Sequence, residues 1–274
     1  METLAQYQQI LIGFVLAILI AILAWRAGTL SKSGAWAAVL TGGFIFGLGG
    51  LAWAILLLTF FISSSALSRA FGKRKASLAE KFSKGSRRDW GQVMANGGLG
   101  AFLALAYMLK QEPEWIWVAY AGAMAAVNAD TWSTELGVLS KIPPRMITTG
   151  KQVERGTSGG ISLFGILAAL GGAASIGIVA VFFSPDTTWW RYLLIIILGG
   201  LVGSLFDSLL GATVQAIYWC PTCEKETERH PIHTCGSTTR QIRGWSWINN
   251  DSVNFACSVM GALISAGLWY LLFY

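Results

Sequence analysis

Charge is what this chain has least of. Only 12% of its 274 residues are Asp, Glu, Lys or Arg, about half the share of a soluble domain, whereas 54% are hydrophobic. That excludes a water-exposed surface over most of the molecule. No polar stretch is long enough to form a separate soluble domain, so a single membrane domain over 1–274 is expected. Met1 to Gln9 carries no basic residue, and Arg26 and Lys32 follow the first apolar run, the reverse of a removable secretory signal. A formal net charge of +6 would point to nucleic acid in a soluble protein. Here the charges follow the loops and report topology, so nucleic acid is not an expected partner.

What the chain has in abundance is apolar sequence. A spanning helix needs about 20 mostly apolar residues. About eight stretches qualify, roughly 8–25, 34–48, 51–66, 91–109, 115–138, 159–183, 191–218 and 250–273. Gly47, Gly49 and Gly50 sit between the second and third, which could form one broken helix. The predicted fold is therefore all-α, a polytopic membrane helix bundle. Of the 20 basic residues, only Lys110 and Arg191 fall on one side of these spans. The richer side, with loops 67–90, 139–158 and 219–248, is expected to be cytoplasmic and both termini external. Glu2, Glu112, Glu114 and Asp186 fall on the external side, beside Trp115, Trp117, Trp189, Trp190, Trp269 and Tyr270. Gly43 with Gly47 and Gly199 with Gly203 read as close helix-packing positions.

An acid inside a span costs about 2.5–3.5 kcal/mol on insertion scales, which makes it a functional candidate. Asp130, Glu135, Asp207 and Asp251 all lie near the cytoplasmic ends of predicted helices. On a helix Asn128, Thr131 and Glu135 share one face, with Asp130 and Thr134 on the next. Such hard oxygen donors suit Mg²⁺; the alternative is a set of polar helix ends bonded to one another. Asp130, Asp207 and Asp251 are each followed by Ser or Thr, but so is Asp186 on the outer side, so position carries the weight.

Between the fifth and sixth predicted spans run Arg145, Lys151 and Arg155, followed by Gly156-Thr157-Ser158-Gly159-Gly160. Glycines that expose backbone N–H groups, just before a helix N-terminus and among basic side chains, make a phosphate site. It is not a Walker A loop, because Gln152 follows Lys151 and position 145 is Arg. In the 67–90 loop, Lys73, Arg74, Lys75 and Lys81 lie among Leu67, Phe71, Leu78 and Phe82 and are read as resting on an anionic inner leaflet. Arg88, Gln92 and Asn96 recur every four residues, a polar stripe entering the fourth span. In the last loop, Cys220-Pro-Thr-Cys223 precedes His230, His233 and Cys235. Cys220, Cys223 and Cys235 with His233, or His230 in its place, fit a small tetrahedral zinc site. A reducing cytosol argues against disulfides there.

Six segments resemble a known family: Arg88-Asp-x-x-Gln-Val-x-Ala-Asn96, Asn128-Ala-Asp-Thr-Trp-Ser-Thr-Glu-Leu-Gly137, Pro144-Arg-x-Ile-Thr-Thr-Gly-Lys151, Gly156-Thr-Ser-Gly-Gly160, Asp207-Ser-Leu-Leu-Gly-Ala-Thr213 and Asn249-Asn-Asp-Ser-Val-Asn254. They look like the phytyl-phosphate kinase family, a membrane family long catalogued as a domain of unknown function, with members in the tocopherol pathway. The resemblance implies a CTP-dependent kinase that turns a membrane prenyl monophosphate into the diphosphate. On that reading Asp130, Glu135, Asp207 and Asp251 hold Mg²⁺, and Arg145, Lys151, Arg155 and residues 156–160 hold the nucleotide. Arg88, Gln92, Asn96 and Asn128 hold the acceptor. A CDP-lipid synthase makes similar contacts but releases pyrophosphate. A transporter of anionic metabolites is the third class, expected to place charge at mid-membrane.

Overall fold

A computed structural model describes residues 2–75, 80–110, 113–184 and 188–273. Eight long helices dominate it: α1 Glu2–Arg26, α2 Lys32–Gly49, α3 Leu51–Lys75, α4 Trp90–Leu109, α5 Glu114–Gly137, α6 Leu163–Val181, α7 Trp189–Thr213 and α8 Asn250–Phe273. The all-α reading holds for the bundle. α2 and α3 are separate helices, because Gly50 takes φ +81° and its N–H closes onto Phe46 O at 2.9 Å. Short strands the apolar runs did not reveal occupy two of the connections. β1 Arg145–Met146 pairs antiparallel with β2 Gly160–Ile161, and β3 Ile217–Cys220 is the middle strand between β4 Lys225–Thr227 and β5 Arg240–Arg243. The predicted spans 159–183 and 191–218 are therefore each too long at their loop-rich ends.

Among the described residues, α1, α3, α4, α6, α7 and α8 are long and apolar enough to cross a membrane. α2 and α5 are not, although the sequence counts them as spans. α5 is the centre of the bundle, packed on α3, α4, α6, α7 and α8. Ile116 through Ala129 are buried without a break. Its alanines let neighbours come close: a Cβ on Gly203 of α7 would lie 2.5 Å from Ala126 Cβ, so only glycine fits this crossing. Nearer the other end Tyr120 stacks on Trp53 at 4.1 Å and donates to Trp53 O at 2.7 Å.

The ends of the bundle differ in kind. At one, Gln9 donates to Gly47 O, Arg191 to Leu272 O and Tyr192 to Glu114. The other gathers the long connections. Segment 80–89 straps across it, held by Lys81 to Glu154 at 2.7 Å, Lys84 to Asp89 and Asp251, and Arg87 to Leu30 O. Lys81 is buried and ion-paired, so it does not rest on a lipid leaflet as its spacing implied. The side chains of Lys73, Arg74, Lys75 and Leu78, and those of Glu112 and Asp186, lie outside the described residues.

Candidate active site

Beneath that strap lies a polar cavity of about 250 Å³, set where α3, α4, α5, α6, α7 and α8 meet the loops. Three of the four predicted acids line it, Asp130 and Glu135 from α5 and Asp207 from α7. Arg88 enters from the strap and Asn96 from α4, while Arg155 to Gly160 close the far wall. Each is placed by local sequence. Asp89 caps α4 through a capping box, accepting from Gln92 N at 3.0 Å while Gln92 Oε1 accepts from Asp89 N at 3.2 Å. That cap aims Arg88 inward at the first turn of the helix. Gly159 takes φ +84° and passes so near α7 that a Cβ would meet Ala212 Cβ at 2.5 Å. The 155–160 loop is thus seated against the helix that carries Asp207.

The Arg88 guanidinium donates to Ser64 Oγ at 2.8 Å and Ser65 Oγ at 3.1 Å, and lies over the rings of Phe60 and Phe61. Burial pulls its pKa down to about 10, with Glu135 opposing, so it remains a cation at neutral pH. Glu135 Oε1 accepts from Ser68 at 2.7 Å. Asp207 Oδ2 is buried and has no hydrogen-bond partner among the described residues. A buried carboxylate oxygen without a donor is costly unless a cation occupies the space.

Several predicted members sit elsewhere. Asp251 does not line the cavity; it faces the strap, 2.5 Å from Lys84 Nζ, while Asn250 and Asn254 of the same helix reach the cavity. Asn128 lies one turn too deep, tying Gly172 O, Ser175 and Ser63 together between helices. Arg145 and Lys151 are exposed on the β1 hairpin, and Arg145 donates to Gly150 O at 2.8 Å. Within the glycine loop, the N–H groups of Thr157 and Gly160 close turns onto Glu154 O and Thr157 O. The side chains of Arg155 and Thr157 are therefore better placed than those two amides to meet an anion.

Glu228, which carries no motif signal, also lines the cavity. It accepts from Gln215 Nε2 at 3.0 Å and Ser83 N at 3.2 Å. Burial raises its carboxyl above the ordinary glutamate range, against the pull of those bonds. Gln215 also accepts from Ser158 Oγ at 2.8 Å, which couples the glycine loop to Glu228.

Two further spaces adjoin the cavity. Arg88, Gln92 and Asn96 also line an apolar slot of about 90 Å³ among α1, α2, α3 and α4. Arg155 and Thr157 also line a groove of about 910 Å³ with Trp219, Glu226 and Lys81. Polar cavity, apolar slot and groove are joined by shared side chains.

The family described as Integral membrane protein DUF92 matches residues 15–262. The chain belongs to it. This is the membrane family that the motifs between Arg88 and Asn254 resemble. The chain is 32% identical to "Protein PGR" of Arabidopsis thaliana, over 97% of this chain and 98% of that one. It is also 32% identical to "Uncharacterized membrane protein MJ0933" of Methanocaldococcus jannaschii, over 96% and 94%. "Protein VTE6, chloroplastic" of Arabidopsis thaliana is 25% identical over 86% of this chain and 64% of its own length. No solved structure matches the chain.

Proposed function

We propose that this family member is a phosphotransferase that moves the terminal phosphoryl group of a nucleoside triphosphate, CTP, onto a prenyl monophosphate in the membrane. The observation that carries the reading is the triple junction. One polar cavity shares Arg88, Gln92 and Asn96 with an apolar slot and shares Arg155 and Thr157 with a groove at the loop-rich end. An amphipathic acceptor and a polar donor can then meet head to head. The slot has room for the first carbons of a chain whose remainder lies in the bilayer.

In this scheme Arg88 and Asn96 hold the acceptor phosphate, and Arg155 and Thr157 hold the donor phosphates. An acceptor oxygen attacks the terminal phosphorus of the donor, the bond from that phosphorus to the bridging oxygen breaks, and the nucleoside diphosphate leaves. The acceptor monoester is already largely ionised, with a second pKa near 6, so no general base is required. Phosphoryl transfer depends mainly on positioning and charge neutralisation. Asp130, Glu135, Asp207 and Glu228 are the oxygen donors that would hold Mg²⁺, and the unpartnered Asp207 Oδ2 fits that role. The metal, when bound, supplies the positive charge that offsets the triphosphate. We place this end in the cytoplasm from the Lys and Arg bias of its loops.

A transporter is disfavoured because the cavity acids gather at one end of the bundle instead of its middle. Donor labelling separates the remaining classes. Purified protein is given CTP labelled at either the terminal or the innermost phosphorus, with prenyl alcohols and monophosphates. A kinase passes only the terminal label to lipid. Transfer of the innermost label would make the chain a nucleotidyltransferase, and transfer of neither would refute the proposal.

A further inference from the structure

The cysteine and histidine side chains of the last loop take no part in this chemistry, yet they converge. We propose that Cys220, Cys223, His233 and Cys235 bind one structural zinc ion, which pins the β3–β4–β5 module beside the polar cavity that Glu228 enters.

The geometry is that of a closed site. One candidate donor atom from each of the four residues lies within 4.8 Å of every other. Cys220 Sγ is 3.5 Å from Cys235 Sγ, and His233 Nδ1 is 3.3 Å from Cys235 Sγ. A tetrahedral zinc with bonds of about 2.3 Å to sulfur and 2.0–2.1 Å to nitrogen sets its ligands roughly 3.5–3.8 Å apart. A disulfide would need about 2.05 Å between sulfurs, and all the cysteines are free.

Two tight turns supply the ligands. Cys220 ends β3, Cys223 lies in the turn to β4, and Glu224 takes a left-handed φ of 50° that folds this turn back. In the second turn Gly236 N closes onto His233 O and His233 N onto Ser237 O. Thr222 and Ser237 hydroxyls, 2.6 Å apart, tie one turn to the other. Of the two histidines only His233 is available, since His230 stacks on Tyr218 at 4.4 Å. His233 is 3% exposed and its Nε2 has no partner among the described residues.

Three short strands cannot bury enough apolar surface to hold themselves, and small modules of this kind commonly rely on a metal. What zinc would secure here is specific. The register sets Cys220 opposite Lys225 and Tyr218 opposite Thr227, and Glu228 follows β4 directly into the cavity. Arg243, ending β5, donates to Ser158 O at 3.3 Å. The metal would therefore fix Glu228 and the glycine loop without touching either.

The test is independent of the reaction. Protein purified in detergent without chelators should contain one zinc per chain by elemental analysis, and His230→Ala should keep it. Cys223→Ser and His233→Ala should each lose most of it. Should those variants fail to accumulate, the unaltered protein still decides the matter. Mercurial titration should release its zinc as three thiols react, and cobalt should give tetrahedral thiolate absorption. Folded protein that lacks zinc and whose three loop thiols react at once, or are joined by a disulfide, overturns the proposal.

Discussion

Removing the guanidinium of Arg88 is the most informative single change. Arginine offers five N–H donors, and the bonds to Ser64 and Ser65 account for two of them. Three remain for an anion in the cavity, at the point where polar space passes into the apolar slot. Each charge-assisted hydrogen bond is worth about 1.5–3 kcal/mol. At 1.4 kcal/mol per decade, losing one costs roughly 10- to 150-fold. Arg88→Ala should therefore lower kcat/KM for the prenyl phosphate by at least that factor and leave the KM for CTP nearly unchanged. Arg88→Lys should recover part of the loss, because an ammonium keeps the charge but not the forked geometry. The assay is steady-state transfer in detergent or nanodiscs with each substrate varied at saturation of the other. Thermal unfolding checks that the serine contacts are not needed for folding. If Arg88→Ala raises the KM for CTP and spares the lipid, donor and acceptor ends of the cavity have been exchanged.

Asp207→Asn keeps shape but deletes a buried charge, and turnover should fall by roughly 100-fold or more with an unchanged melting temperature; wild-type turnover would remove Asp207 from the metal set. Asp251→Asn is expected to cost about 1 kcal/mol of stability through its partly exposed pairing with Lys84, with activity kept within a few-fold; abolished turnover in a stably folded variant would return Asp251 to the site. Gly203→Ala forces a Cβ against Ala126 and should lower stability by about 1–3 kcal/mol, read as an earlier thermal midpoint in detergent. A cysteine introduced at Gly85 should resist impermeant labelling of intact cells while one at Lys110 reacts, and the opposite pattern would invert the topology.

Much of this site is visible in the sequence because burying charge in a membrane protein is so costly that the few inner acids stand out. Asp130, Glu135 and Asp207 announce themselves in that way, and the stripe from Arg88 to Asn96 follows from helical spacing alone. Phase and depth are harder to read. Asp251 heads its helix beside Asn250, and only the path of the strap decides that the acid turns toward Lys84 while Asn250 and Asn254 face inward. Asn128 shares a face with Glu135, but nearly two turns separate them, enough to move it from cavity to packed interior. The strand Ile217–Cys220 continues the apolar run of α7 with no break in composition. Glu228 is camouflaged among Glu224, Lys225 and Glu226, acquiring its role only when the sheet folds it against Ser83 and Gln215.

The position of α5 bears on how the protein is made. Five neighbours enclose this helix, and by itself it is not apolar enough to cross a membrane. A segment carrying Asn128, Asp130 and Glu135 gains little by meeting lipid directly, since acids and amides weigh against insertion. Asn128 and Glu135 find partners in α3 and α6, through Ser63, Ser68, Gly172 and Ser175. Of these two, α6 is synthesised after α5. This central helix thus draws on later-made chain for its stable place in the bilayer, and biogenesis of the polar cavity becomes a cooperative event that waits for the C-terminal half to emerge.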